Sequence, residues 1–112
     1  MQPITAYICL LAAIVFEVSG TLLLPASQNF TNAKATISLV LLYGVSFYFL
    51  SIVVNLIPIA IMYATWSGLG IFTLALVSYF AFNQSLNFWS VIGLTLIVIG
   101  VVLVNMNIRL PK

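Results

Sequence analysis

The sequence predicts an all-α integral membrane protein with four transmembrane helices in each subunit. Three observations carry this prediction. Hydrophobic residues make up 64% of the 112 residues and charged residues only 4%, far from the roughly 25% charged of a soluble domain. The mean hydropathy is +1.30. Four apolar stretches fill nearly the whole chain, each long enough to cross a ~30 Å hydrocarbon core as a helix. They make residues 1–112 a single transmembrane domain. The loops are too short and the runs too long for lipid-facing β-barrel strands, so every span is helical.

The first span covers about residues 4–24, and its length as a helix is roughly 32 Å. Met1-Gln2-Pro3 has no positive n-region and no clean small-residue cleavage site follows, so this stretch is read as a retained span. Pro25 and the polar run Ser27-Gln28-Asn29 end it. The second span covers about 35–56 and closes at Asn55 and Pro58. The third covers about 59–82, with Ser67-Gly68-Leu69-Gly70 in its middle. A turn over Asn83-Gln84-Ser85-Leu86-Asn87 leads into the fourth, about 88–106, and Asn107–Lys112 is a short polar tail.

Four spans place both termini on one side. Arg109 and Lys112 lie on that side and Lys34 on the other. The bias slightly favours cytoplasmic termini, and a population inserted in both orientations is equally readable. The net charge of +2 is small and its cations are scattered, which excludes nucleic acid as a partner. Cys9 stands alone with no histidine in the chain, so it reads as a small buried hydrophobe, not a disulfide or metal ligand. The two halves show no internal repeat. A chain this small has no second half to rock against the first, so transport requires a second copy.

Glu17 is the only acidic residue of the chain, and it falls inside the first span. A carboxyl at that depth is costly, and its default reading is functional. Leu10, Ala13, Ile14, Gly20, Thr21 and Leu24 share its helix face by three- and four-residue spacing. The small residues of that face let another helix or a wet cleft come close, and Thr21 offers a hydroxyl one turn away. With no cation in any span interior, desolvation favours the neutral carboxyl until a cation arrives to displace the proton. That exchange is what coupling protons to cations at one site requires. The plainer reading is a glutamic acid that stays protonated and hydrogen-bonds between helices, a task glutamine would perform at lower cost.

Tyr63 and Trp66 fall on one face of the third span, and Tyr43, Phe47 and Leu50 on one face of the second. Aromatic faces attract cations by roughly 0.5–2 kcal/mol. They also serve as packing residues or interface anchors, but Tyr63 and Trp66 lie toward mid-span. With Glu17 they compose a site for a large, flat or quaternary hydrophobic cation. Gly68 and Gly70 suggest a mid-span hinge or close helix packing. Gly93 and Gly100 put two notches on one face of the fourth span, as a helix–helix seam does. One carboxyl without a nucleophile–base pair, metal cluster or phosphate loop makes no plausible enzyme active site.

Three stretches resemble the small multidrug resistance family: Glu17-Val18-Ser19-Gly20-Thr21, Ile57-Pro58 leading to Tyr63-Ala64-Thr65-Trp66-Ser67-Gly68-Leu69-Gly70, and Gly93 to Val101. The resemblance covers essentially the whole chain in order. It implies an antiparallel, dual-topology homodimer in the bacterial inner membrane, exporting hydrophobic cations in exchange for protons. It implies that Glu17 is the shared proton and substrate site, and that Leu10, Ala13, Ile14, Gly20, Thr21, Tyr63 and Trp66 line the chamber. Tyr43 and Phe47 match positions facing the chamber or its portal, Gly68–Gly70 the kink of the third span, and Gly93–Gly100 the dimerisation motif. The Gly20-Thr21 pair looks like the quaternary-ammonium and multidrug branch. Pro25, Ser85 and Asn87 stand where the family usually carries charge, and some members work only as paired heteromers.

The expected function is thus a proton-coupled antiporter for multidrug efflux, with the proton as coupling ion and no other cofactor. Exporters of guanidinium, polyamines or compatible solutes form one alternative, and a small membrane subunit that transports nothing forms another.

Overall fold

Why the apolar runs break where they do is settled by local chemistry in the computed structural model, which describes residues 3–106. The described residues form α1 (Pro3–Leu22), α2 (Leu24–Ser27), α3 (Ala33–Val53), α4 (Ile59–Ala81) and α5 (Phe88–Asn105), with no strand among them. Four of these helices are long and apolar enough to cross a membrane, the predicted architecture. The short α2 is a single extra turn.

α1 ends at Leu22, two residues before the expected limit, and the chain resumes as α2 with Pro25 in its first turn. A proline there loses no hydrogen bond, because first-turn N–H groups have no helical acceptor. The Oγ–H of buried Ser27 then donates to the Leu24 carbonyl at 2.7 Å, while the Phe30 N–H donates to that Oγ at 3.3 Å. Gln28, Asn29 and Phe30 follow in the left-handed region, with φ of 50°, 61° and 68°. Asparagine tolerates this conformation better than phenylalanine does. Asn32 caps α3 by accepting from the Ala35 N–H at 3.1 Å, so this helix starts at Ala33 rather than 35. Asn87 caps α5 by accepting from the Ser90 N–H at 2.8 Å, which gives this uncharged loop residue a local task.

α1 packs along α3 and crosses α4, and α4 packs against α5. The core gathers Leu10, Ala13, Ile14 and Val18 of α1 with Leu50 and Val53 of α3, Ile57, and Met62 of α4. Half-buried Cys9, a free thiol, packs against this cluster. A buried Ser46 Oγ–H donates to the Ala13 carbonyl at 2.7 Å and ties α3 to α1. The subunit measures 44 × 35 × 17 Å. Because one helix with its side chains is about 10–12 Å across, the thin dimension holds little more than one layer.

α4 is unbroken from Ile59 to Ala81, so the hinge expected at Gly68 and Gly70 is not a break in this structure. Close packing explains Gly68 instead: a Cβ there would stand 2.5 Å from Val101 Cγ2 on α5. At Gly93 and Gly100 an added Cβ meets nothing within 4 Å, so the notched face of α5 is open within the subunit. Arg109 and Lys112 lie outside the described residues, while Lys34 is exposed in the first turn of α3.

Candidate functional site

Glu17 sits on α1, half-buried, where α1 faces both α3 and α4. Its Oε1 accepts a hydrogen bond from the Thr21 Oγ1–H at 2.7 Å, one turn along the same helix. The Tyr43 hydroxyl of α3 lies 2.7 Å from that Thr21 Oγ1. With the Thr21 proton committed to Glu17, Tyr43 is the donor in this second bond. A hydroxyl both gives and accepts, so the chain runs from Tyr43 to Glu17 when the carboxyl is ionised. It runs the other way when Oε1 carries the proton. The same three groups can therefore hydrogen-bond one another in either direction.

Two glycines set this geometry. Gly20 is buried, and a Cβ there would stand 2.8 Å from Tyr43 Cδ1 and Cε1. The Cδ1–Cε1 edge of the Tyr43 ring thus lies close against α1 at Gly20, with its hydroxyl at Thr21. At Gly70 of α4 a Cβ would reach 3.4 Å from Glu17 Oε2, so glycine leaves ordinary room for the second carboxyl oxygen.

Glu17 opens onto two cavities. One of about 170 Å³ is lined by Glu17, Tyr63, Trp66, Ser67, Gly70 and Ile71, with Leu74. The other, about 240 Å³, is lined by Glu17, Tyr43, Ser46, Phe47 and Trp66. Trp66 belongs to both, with Tyr63 on one side of it and Phe47 on the other, at ring-centroid distances of 5.5 and 6.1 Å. Its indole N–H is buried without an acceptor among the described residues. The lone carboxyl thus faces aromatic walls, with the Thr21 hydroxyl bonded to it and those of Tyr43, Ser46, Tyr63 and Ser67 on residues lining the two cavities. Lys34, the cation of the described residues, is far along α3 in its first turn. Such a site offers one negative charge and several π faces to a cation with little hydration.

The structure brings Glu17, Thr21, Tyr43, Phe47, Tyr63 and Trp66 together. It does not bring Leu10, Ala13 and Ile14 to either cavity: all three are core residues, at most 5% exposed. The Glu17 face of α1 is wider than the cleft, and its N-terminal half is closed by α3 and α4. Gly20 likewise lies beneath Tyr43 rather than facing open space. Ser46 is an additional wall residue, marked in the sequence by lying on the stripe of Tyr43, Phe47 and Leu50. Ser67, Ile71 and Leu74 join the smaller cavity, and α-helical spacing from Tyr63 and Gly70 is the signal that finds them.

Residues 5–97, which include every lining residue of both cavities, match the Small Multidrug Resistance protein family. The chain belongs to the small multidrug resistance family. It is 41% identical over 99 residues to the quaternary ammonium compound-resistance protein QacG of Staphylococcus sp., spanning 88% of this chain and 92% of that protein. To QacE of Escherichia coli, of the same description, it is 39% identical over 100 residues, spanning 89% and 91%. The multidrug resistance protein EbrA of Bacillus licheniformis shares 36% over 104 residues, 93% of this chain and 99% of that one. As a small multidrug resistance protein with four membrane-spanning helices, the chain is a multi-pass protein of the bacterial plasma membrane.

Proposed function

We propose that this chain is a proton-coupled antiporter that exports hydrophobic and quaternary ammonium cations, with proton and cation competing for Glu17. The observation that carries the reading is one carboxyl set between two aromatic-walled cavities, held by hydroxyls that accommodate either charge state. The names of QacG, QacE and EbrA, which describe quaternary ammonium and multidrug resistance, support the substrate class.

The functional unit in this reading is a pair of copies inserted in opposite directions. A subunit 17 Å thin does not enclose a large cation by itself. Tyr63 and Phe47, at 60% and 59% exposure, show their rings to the outside of the single chain. Facing copies would bring two such half-sites together, with two Glu17 carboxyls available to one substrate.

Competition fixes the sign of the pH dependence. Cation binding needs the ionised carboxyl, so affinity rises with pH as Glu17 loses its proton, and a proton gradient drives the bound cation off on the acidic side. Ethidium, a flat fluorescent cation, is a suitable probe. In proteoliposomes with an imposed pH gradient, Glu17→Gln is expected to reduce ethidium uptake to background, and Glu17→Asp to shift its pH profile. Wild-type pH profiles in both variants would reject the mechanism. A panel with guanidinium and polyamine cations reads the substrate class directly.

A further inference from the structure

Away from Glu17, a second polar network crosses three helices. Asn105 is the last residue of α5. Its Nδ2 donates to Thr65 Oγ1 of α4 at 2.8 Å and to the Val101 carbonyl at 2.8 Å. Its Oδ1 accepts from the hydroxyl of Tyr7 on α1. Thr65 in turn donates to the Ile61 carbonyl at 2.7 Å and is 3% exposed. Both polar atoms of the Asn105 amide are therefore partnered, and the partners lie 98 and 40 residues away in sequence. Asn105 also lies outside residues 5–97, the stretch matching the family.

The position of this network suits more than packing. Val101 is the one buried hydrophobic of α5, so apolar packing holds this helix weakly within the subunit. Asn105 joins α5 to α1, which otherwise packs against α3 and α4. Tyr7 and Glu17 are ten residues apart on one helix, about 15 Å along its axis. On α4, Thr65 faces α5 while its neighbour Trp66 forms the wall between the two cavities. Two of the three helices that shape the cavities, α1 near its start and α4 at Thr65, are thus tied to the same amide.

We infer that Asn105 is a positioning residue: through Tyr7 and Thr65 it fastens α5 to α1 and α4, and this fastening makes α5 follow when α1 carries Glu17 during transport. The inference rests on the antiporter reading above. α1 is packed on α3 and α4 along its length and is bonded to Tyr43 beside Glu17, so it tilts as part of that body. The Asn105 bonds carry the tilt to α5, which apolar packing holds weakly. Without the hydroxyls the site still forms and binds, but tilting of α1 no longer carries α5 with it.

The test uses the full chain, with equilibrium ethidium binding in detergent beside pH-driven ethidium uptake in proteoliposomes. Tyr7→Phe and Thr65→Val are expected to slow uptake about three- to tenfold, the scale of one interhelical hydrogen bond in a membrane. Ethidium affinity stays within about twofold of wild type, within the scatter of surface-type changes. Thr65→Ser, which keeps the hydroxyl, restores wild-type uptake. Hydrogen exchange of the 101–105 amides quickens in Tyr7→Phe. Unchanged uptake in both variants overturns the inference, as does affinity lost in step with uptake or a Thr65→Ser variant no better than Thr65→Val. Should the wild-type chain show no pH-driven uptake, the antiporter reading fails on its own. Unchanged amide exchange in Tyr7→Phe would then overturn the fastening separately.

Discussion

α1 and α5 are both apolar helices of bilayer length, yet 33% of the span of α1 is buried inside the subunit and only 6% of that of α5. Hydrophobicity does not explain the difference, because lipid tails are as apolar as leucine and give helices no reason to associate. What buries α1 is fit. Ala13 lets Ser46 reach its carbonyl, Gly20 seats the Tyr43 ring, and Leu10 and Ile14 fill the space between α3 and α4. α5 has one comparable fit, Val101 over Gly68, plus the Asn105 bonds at its end. Its other glycines, Gly93 and Gly100, face nothing within the chain. α1 is therefore the helix around which a subunit is built. In the proposed pair of copies, α5 is the helix left for a second subunit.

The largest expected effect that tests this contrast is Leu10→Ala. It should destabilise the subunit by about 2 kcal/mol, the low end of the cavity scale, since lipid supplies no transfer term. Unfolding in mixed micelles measures it, and ethidium affinity should not change. Lost affinity with stability intact would place Leu10 in the binding chamber and mean that the packed face of α1 opens. Gly68→Ala comes next, at about 1 kcal/mol, the low end of overpacking, because the atom it meets is a side-chain methyl of Val101. Gly93→Ala, with open space around it, should leave subunit stability within ~0.5 kcal/mol and act on self-association, read by cross-linking in liposomes. Equal losses at both glycines would erase the distinction between a helix packed within the chain and one reserved for a partner. Tyr43→Phe is a small change at the site itself. Removing one hydroxyl from the Thr21–Glu17 chain should weaken ethidium binding about threefold, the ~0.6 kcal/mol of an average interhelical bond. Unchanged affinity in equilibrium titrations would mean that Thr21 alone holds the carboxyl.

Much of this is written plainly in the chain. Four apolar runs name four spans, and the one carboxyl among them lies where two aromatic-walled cavities meet. Tyr63 and Trp66 reach it because three-residue spacing is reliable on a single helix. Failures arise where a neighbour decides. A helical wheel puts Leu10, Ala13 and Ile14 on the Glu17 face, but it does not show how far along α1 the cleft extends before α3 and α4 close it. Gly68 looks like a flexible joint until Val101, 33 residues away in sequence, is found lying on it. Tyr7, Thr65 and Asn105 carry no mutual signal, since nothing in their spacing links the start of α1, the middle of α4 and the end of α5. The early end of α1 follows from Pro25 opening a new turn, which hydropathy does not register because Leu23 and Leu24 are as apolar as the helix before them.

Trp66 forms a party wall. The two spaces beside Glu17, about 170 and 240 Å³, share its indole, so swinging the ring toward one gives room to the other. Ligand shape is then accommodated by redistribution instead of by expansion. A thick ring system and a long thin one can each be given room without any helix moving apart, provided the opposite chamber is left to shrink. In the proposed transporter, breadth of recognition then begins with the torsion angles of one side chain, before any second copy closes over the site.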